Sequence, residues 1–142
     1  LSFCEKLNVH LEFGLQTAIQ EESKQINRQN NPIKIAEIMH ELNDRMISYE
    51  ISLIYGLPLQ TVDSFKQSID FAVKNGCTNI KAYPLMLLKG TELYFNKKEY
   101  GLVEKNMGKY NIPTVVQSNT FSQKEWFEMK SIADNLMESY RI

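Results

Sequence analysis

The sequence predicts an α/β fold in which strands and helices alternate around a parallel sheet. The alternation itself is the main observation. Short strand-like runs are followed three times by stretches with helical periodicity and helix caps. Three βα units in about a hundred residues are typical of a parallel sheet with helices packed against it. A length of 142 residues with 43% apolar content is enough for one core.

The first two βα units have clear boundaries in the sequence. Polar and apolar residues alternate from Val9 to Gln16, which predicts the first strand. The helix that follows begins after Asn31, a residue type that caps helices well. The second strand, EISLIYG, covers Glu50 to Gly56, and its helix is capped by Thr61 and ended by Gly76.

The third unit and the tail complete the predicted order. TNIKAYPLMLL, Thr78 to Leu88, predicts a third strand, and GTELYFNKKEYGL predicts a short helix after it. IPTVVQSN predicts a short strand. A long helix then begins with the capping box of Ser122 and Glu125. The predicted division is 1–120 for the strand and helix repeats and 121–142 for a C-terminal helix packed on them.

The net charge and the number of cysteines indicate which partners and which cellular compartment to expect. Sixteen basic and seventeen acidic residues leave a formal charge of −1, so the basic surface of a nucleic-acid or membrane-surface binder is not indicated. Cys4 and Cys77 are too few for a disulfide framework, and no secretory or transmembrane run is present. We expect a reduced, cytoplasmic protein. The chain begins without Met and soon enters a strand pattern, which suggests a piece of a longer protein.

One face of the first two strands is polar or small. Glu12, Gly14 and Gln16 share a face in the first strand, and Ser52 and Ile54 share the equivalent face in the second. A parallel sheet with helices on both sides should be apolar on both faces. We therefore expect the polar face to line a cavity, as in a section of barrel wall.

Candidate ligand-binding residues follow the strands. Gln16, Gly56 and Pro84 lie at predicted carboxyl ends, where parallel α/β folds bind ligands. Gly56 would let a flat ligand approach the main chain, and Pro58 would stiffen the loop. Spacing alone leaves two interpretations open: a backbone edge for a planar ring, or a tight turn between strand and helix.

Three segments in this order resemble the second half of the radical S-adenosylmethionine (SAM) core: GLQTAIQEESKQINR, SLIYGLPLQTVDSF and YPLMLLKGTELYFNKKEYGL. The likeness is to members with a cobalamin-binding domain and to oxygen-independent coproporphyrinogen oxidases. It runs from about Val9 to Thr120. It implies half of a partial TIM-type barrel, about three parallel βα units with a C-terminal helix, in which the three strands are the fourth to sixth of six.

The resemblance also implies cofactor-binding residues. Gln16 matches a polar residue near the ribose and amino-acid portion of SAM. Arg28 matches an arginine that contacts the cofactor's polar groups, and its guanidinium fork suits a carboxylate. Ile54 and Gly56 match the motif GxIxGxxE, whose backbone and apolar side chain hold adenine, with Gln60 loosely in place of the closing acid.

Two departures from the family pattern limit what the resemblance implies. Ser52 stands where relatives often have aspartate, so it is assigned to the cofactor site as an uncharged hydroxyl. The family's CxxxCxxC loop is absent, and Cys4 and Cys77 cannot replace it, because cluster ligation needs several converging thiolates. No catalytic or metal-ligating residue is therefore assigned to this chain.

The resulting expectation is a fragment of a radical SAM enzyme. The parent would use SAM and a 4Fe-4S cluster, neither expected to bind this fragment, which is expected to be inactive alone. Cobalamin in the parent and its substrate are left open. The implied partner is the missing N-terminal half of the barrel, and the open edge favours self-association. The alternatives are a non-catalytic α/β interaction module and half of an aldolase-like barrel, for which Lys81 is the candidate Schiff-base lysine.

Overall fold

A computed structural model of the chain describes residues 10–26 and 31–139. The strands and helices follow one another in this order: β1 (Leu11–Gln16), α1 (Gln20–Gln25), α2 (Pro32–Asp44), β2 (Tyr49–Tyr55), α3 (Val62–Lys74), β3 (Ile80–Pro84), α4 (Glu92–Phe95), β4 (Val103–Met107), β5 (Ile112–Gln117) and α5 (Gln123–Ser139).

The three main strands form a parallel sheet in the order β1-β2-β3. Phe13 pairs with Ile51, which pairs with Ile80, so strands that follow one another in sequence are also neighbours in space. The predicted α/β fold with about three parallel βα units and a C-terminal helix is confirmed.

The apolar face of this sheet carries the helices. Every second residue of β2, from Tyr49 to Tyr55, is buried on that side. α2, α3 and α5 contribute fully buried side chains to the same core, among them Leu42, Phe65 and Trp126. Because α5 adds to this core, its burial holds the C-terminal segment against the sheet. The boundary between 120 and 121 stays a prediction.

The opposite face of the sheet is polar and partly open, as predicted. Ser52 and Ile54 on β2 are half-buried, and Tyr83 on β3 is 44% exposed. Gly14, Ser52 and Lys81 lie side by side in one row across the three strands. The two faces therefore differ as a barrel wall requires, with helices outside and a hollow inside.

The predicted helix caps are confirmed. The Asn31 side chain accepts hydrogen bonds from two N–H groups in the first turn of α2. Thr61 and Ser64 form a reciprocal capping box at the start of α3. Ser122 and Glu125 form another before α5. These caps satisfy N–H groups that have no partner inside their own helix.

The structure corrects the third unit. β3 ends at Pro84 rather than Leu88, and only Glu92–Phe95 is helical in the predicted short helix. The chain turns away after Leu85, whose N–H still bonds to the Tyr55 carbonyl at 2.9 Å. From there it pairs with β5, because the Val115 N–H donates to the Leu85 carbonyl at 3.0 Å.

α1 and β4 were not predicted from the sequence. α1 has six residues and lacks a side-chain cap, and β4 reads VEKNM with mostly exposed side chains, so neither shows a clear period. β4 and β5 form an antiparallel hairpin, and β5 pairs with the segment after β3. On the opposite side of the sheet, β1 pairs only with β2 within the described residues. Self-association through this edge stays a prediction.

Candidate functional site

A cavity of about 340 Å³ lies where three successive strands end. Its walls come from the end of β1, the end of α1, the loop after β2, and the segment from β3 into α4. The lining residues are Gln16, Gln25, Ile26, Ile54, Leu57, Leu85, Met86, Leu88, Thr91, Glu92 and Leu93. Ligand cavities in parallel α/β folds are expected at this edge. The structure therefore brings Gln16 and Ile54 together from adjacent strands.

The Gly-Leu-Pro loop after β2 does not leave its backbone bare. Gln60 is fully buried, and its Oε1 accepts hydrogen bonds from the N–H groups of Gly56 at 2.7 Å and Leu57 at 3.1 Å. Its Nε2 donates to the Ile54 carbonyl at 3.1 Å. Leu57 lines the cavity, while Gly56 is buried at positive φ (95°). The Gln60 side chain thus holds the backbone of this loop in place.

Gly56 lies against the outer layer of the molecule. A Cβ added to it would lie 3.1 Å from the Val115 carbonyl oxygen and 3.5 Å from Trp126 Nε1. The glycine therefore lets β2 end close to β5 and α5. The tight-turn interpretation has this structural support, and a direct contact between Gly56 and a ligand stays a prediction.

The other two predicted site residues have separate positions. The Ser52 hydroxyl donates to the Phe13 carbonyl at 3.3 Å, so it joins β2 to β1 farther from the strand ends. Arg28 lies outside the described residues. Ile26, two positions before it, lines the cavity. Assignment of both residues to a cofactor stays a prediction.

Several polar residues of the cavity were missed from the sequence. Gln25 closes one side, and the Tyr100 hydroxyl donates a hydrogen bond to its Oε1. Thr91 and Glu92 come from the start of α4. The predicted helix already began near Thr91, and its position just after a strand was the signal that could have identified both residues.

A buried carboxylate connects two loops beside the cavity. Glu22 of α1 is 1% exposed, and its Oε1 accepts from Thr17 Oγ1 at 2.7 Å. Its Oε2 accepts from Ser64 Oγ, in the first turn of α3, at 2.6 Å. Burial raises the pKa of Glu22 above its usual value of 4.5, although the two hydroxyl donors partly oppose this change.

Replacement of Glu22 by glutamine should make protein stability less dependent on pH. Below pH 4.5 this carboxyl group is protonated in both states. As the pH rises, the unfolded state ionises first, so the favourable contribution of Glu22 is lost until the pH passes the raised folded-state pKa. In urea unfolding between about pH 4 and pH 7, the stability of the wild type relative to Glu22→Gln should therefore fall as the pH rises. A stability difference that stays constant with pH would contradict this expectation.

Lys81 has a position that disfavours the aldolase alternative. Its Nζ lies 3.3 Å from Oε1 of Glu50, a carboxylate that also lies 3.2 Å from His10 Nε2. Lys81 is the second residue of β3, whereas a Schiff-base lysine is expected at the carboxyl end of a strand. Lys81 instead forms an ion pair on the inner wall.

The described residues contain no group of three His, Cys, Asp or Glu side chains arranged to hold a metal ion. Cys77 is buried, and burial raises the pKa of its thiol. With only two cysteines in the chain, the three thiolates of a cluster site do not fit here. No helix within residues 10–26 and 31–139 has the length and apolar character needed to cross a bilayer.

The fold is similar to part of two solved proteins. One is coproporphyrinogen III oxidase (HemN) from Escherichia coli, a radical SAM enzyme, with a TM-score of 0.63 and 17% identity over 92% of this chain. The other is archaeal Elp3 from Methanocaldococcus infernus, solved with an N-terminal deletion, with a TM-score of 0.64 and 21% identity over 94% of this chain. The chain spans 26% of the first protein and 29% of the second.

No protein-family model and no curated protein sequence matches the chain. At 17% and 21% identity, the likeness shows a shared fold. The chain therefore has the fold of a part of a radical SAM protein. Site and activity require separate arguments from its own residues.

Proposed function

We propose that this chain is the C-terminal half of a radical SAM core and that its cavity holds part of SAM. The cavity at the ends of β1 and β2 carries this proposal, because it combines an amide, apolar side chains and a fixed loop at the edge where such folds bind ligands. The likeness to HemN, a radical SAM enzyme, supports the same conclusion.

The residues present fit the nucleoside part of the cofactor. Ile54 and Leu57 give apolar surface for a planar base, and Gln16 and Thr91 offer hydrogen-bonding groups for ribose hydroxyls. Arg28, shortly after the cavity residue Ile26, would bind the carboxylate of the amino-acid portion. In the complete protein, SAM and a 4Fe-4S cluster would together supply a 5'-deoxyadenosyl radical that abstracts hydrogen from a substrate.

The cluster does not fit the residues of this chain, so its ligands must come from the N-terminal half of the barrel. That half is also the partner that would cover the polar inner wall and pair with the open edge of β1. The chain alone is therefore proposed to be inactive. Whether the complete protein acts as an oxidoreductase or a transferase depends on its substrate.

The proposal is tested on the protein encoded by the complete gene. A CxxxCxxC motif within roughly 150 residues before Leu1, about the span of three βα units and a loop, should be present. After anaerobic iron-sulfur reconstitution, the protein should cleave SAM and release 5'-deoxyadenosine. Absence of the motif together with no 5'-deoxyadenosine would reject the enzyme and favour the interaction module.

Replacement of Gln16 by alanine should weaken SAM binding to that reconstituted protein by roughly threefold to tenfold, because a typical hydrogen bond contributes about 0.5–1.5 kcal/mol. Gln67→Ala is the matched control, since Gln67 is exposed on α3 away from the cavity lining. Isothermal titration calorimetry measures both affinities. Unchanged affinity in Gln16→Ala would remove Gln16 from the cofactor site.

A further inference from the structure

The turn that carries Gln16 is strained. Gln16 has a φ of 66°, and the Thr17 N–H donates to the Leu15 carbonyl at 2.8 Å across it. This three-residue hydrogen bond with positive φ at the centre is the rarer and more strained form of γ-turn. The register of β1 against β2 also shifts between Gly14 and Gln16. Such a conformation persists only where its surroundings hold it.

The surroundings of this turn are a buried network of hydroxyl groups around one carboxylate. Thr17 Oγ1 donates to Glu22 Oε1 and accepts from the Ile19 N–H at 3.1 Å. The Ala18 N–H donates to Ser68 Oγ of α3 at 3.0 Å. The two residues directly after Gln16 are therefore both held by hydrogen bonds: Thr17 bonds to α1 and to the Ile19 N–H, and Ala18 bonds to α3.

The same carboxylate reaches the loop after β2. Ser64 Oγ donates to Glu22 Oε2 at 2.6 Å and accepts from the Thr61 N–H at 2.9 Å. Thr61 directly follows Gln60, which bonds to Gly56 and Leu57 on the other side of the loop. One side chain thus joins the two loops that present Gln16 and Leu57 to the cavity.

A carboxylate suits this position better than an amide. The oxygens of Thr17 and Ser64 each accept a backbone N–H, so both hydroxyl hydrogens point toward an acceptor. Ionised Glu22 offers two acceptor oxygens and no donor, whereas glutamine would place an NH₂ group against one hydroxyl. In the glutamine variant that hydroxyl has to turn its hydrogen to a second neighbour: the Thr61 carbonyl lies 3.1 Å from Ser64 Oγ, and Ser68 Oγ lies 3.3 Å from Thr17 Oγ1.

We infer that Glu22 is a positioning residue that holds Gln16 in its strained turn and fastens that turn to the start of α3. The consequence for the ligand rests on the proposed SAM site: without Glu22, the turn relaxes and the Gln16 amide leaves the cavity. Glu22 acts through Gln16 and is not itself a lining residue of the cavity.

A double-mutant cycle on stability tests the turn without any ligand. Gln16→Gly, Glu22→Ala and the double variant are compared by urea unfolding of the 142-residue chain. Glycine tolerates positive φ, so Gln16→Gly should lower the unfolding equilibrium constant by roughly threefold in the wild-type background. This gain should disappear in the Glu22→Ala background, because the strain has already been released. An equal gain in both backgrounds would overturn the inference.

A second cycle measures SAM affinity of the reconstituted complete protein. Glu22→Ala should weaken binding by about as much as Gln16→Ala, roughly threefold to tenfold, and the double variant should bind no worse than either. Glu22→Gln should recover part of the loss. Ser23→Ala is the control, because Ser23 is buried on the same helix and donates only to the Gln20 carbonyl in that helix.

The two cycles separate the possible failures. If the fold losses in SAM affinity of the two single variants multiply in the double variant, Glu22 does not act through Gln16. Wild-type SAM affinity in Glu22→Ala would likewise overturn the role of Glu22 at the ligand. If the wild-type protein does not bind SAM, the proposed function fails. The stability cycle then decides alone whether Glu22 holds the turn.

Discussion

Replacement of Gln60 by alanine should lower the free energy of unfolding by about 3–5 kcal/mol. The substitution leaves two backbone N–H groups, of Gly56 and Leu57, and the Ile54 carbonyl without their partner. Each buried polar group that loses its hydrogen bond costs about 1–3 kcal/mol. Water cannot easily compensate, because Gln60 is 0% exposed. Urea unfolding followed by far-UV circular dichroism measures the loss.

Two further variants identify the cause of this loss. Gln60→Glu keeps an acceptor for the two N–H groups, and its protonated form also keeps a donor for the Ile54 carbonyl. Its effect should therefore be smaller at low pH, about 1–3 kcal/mol, and should grow as the pH rises and the buried carboxyl ionises. The exposed Gln67→Ala should change stability by less than about 0.5 kcal/mol. If Gln60→Ala were as mild as Gln67→Ala, other groups would have to satisfy this loop.

Replacement of Trp126 by alanine should lower the free energy of unfolding by about 3–5 kcal/mol, the usual cost of removing a large aromatic side chain from a core. Trp126 is 1% exposed and packs against Tyr55, with ring centroids 5.7 Å apart at 46°. It lies in the first turns of α5, where that helix contacts β2 and β3. Its removal therefore weakens the attachment of the C-terminal helix to the sheet.

A second variant, Trp126→Phe, separates the cost of lost side-chain volume from the cost of a lost hydrogen bond. Trp126 Nε1 is buried and has no hydrogen-bond partner among the described residues, so phenylalanine loses volume alone and should cost only about 1–2 kcal/mol. Circular dichroism is the appropriate measurement, because Trp126 is the only tryptophan of the chain and its fluorescence disappears in both variants. Equal losses in the two variants would show that the indole N–H has a stabilising partner.

Local signals explain which parts of the fold could be predicted. Asn31, Thr61 and Ser122 satisfy nearby N–H groups within a few residues, so their caps are visible in sequence alone. The alternation in β1 and β2 likewise predicted two different sheet faces. β4 and α1 were missed because they are short and their patterns are weak, so tertiary contacts decide their structure.

The candidate site shows the same division. Gln16 could be chosen from its position at a strand end and Ile54 from the resemblance to a family motif, and both residues line one cavity. Gln25 was missed because it lies on α1, which has no clear sequence pattern, and Glu92 was missed although its position just after a strand was a usable signal. In the sequence Glu22 is one residue of a polar stretch, and only its burial between Thr17 and Ser64 distinguishes it.

The sequence by itself determined the order of the βα units, their caps and the residues on each face of the sheet, since these depend on neighbours along the chain. Only the tertiary structure decided that Gln60 satisfies the backbone after β2 and that β5 takes over pairing after β3. It also decided that Glu22 joins two loops. These features depend on which buried groups meet across the fold, and the requirement that each buried polar group find a partner selects among the arrangements that local patterns allow.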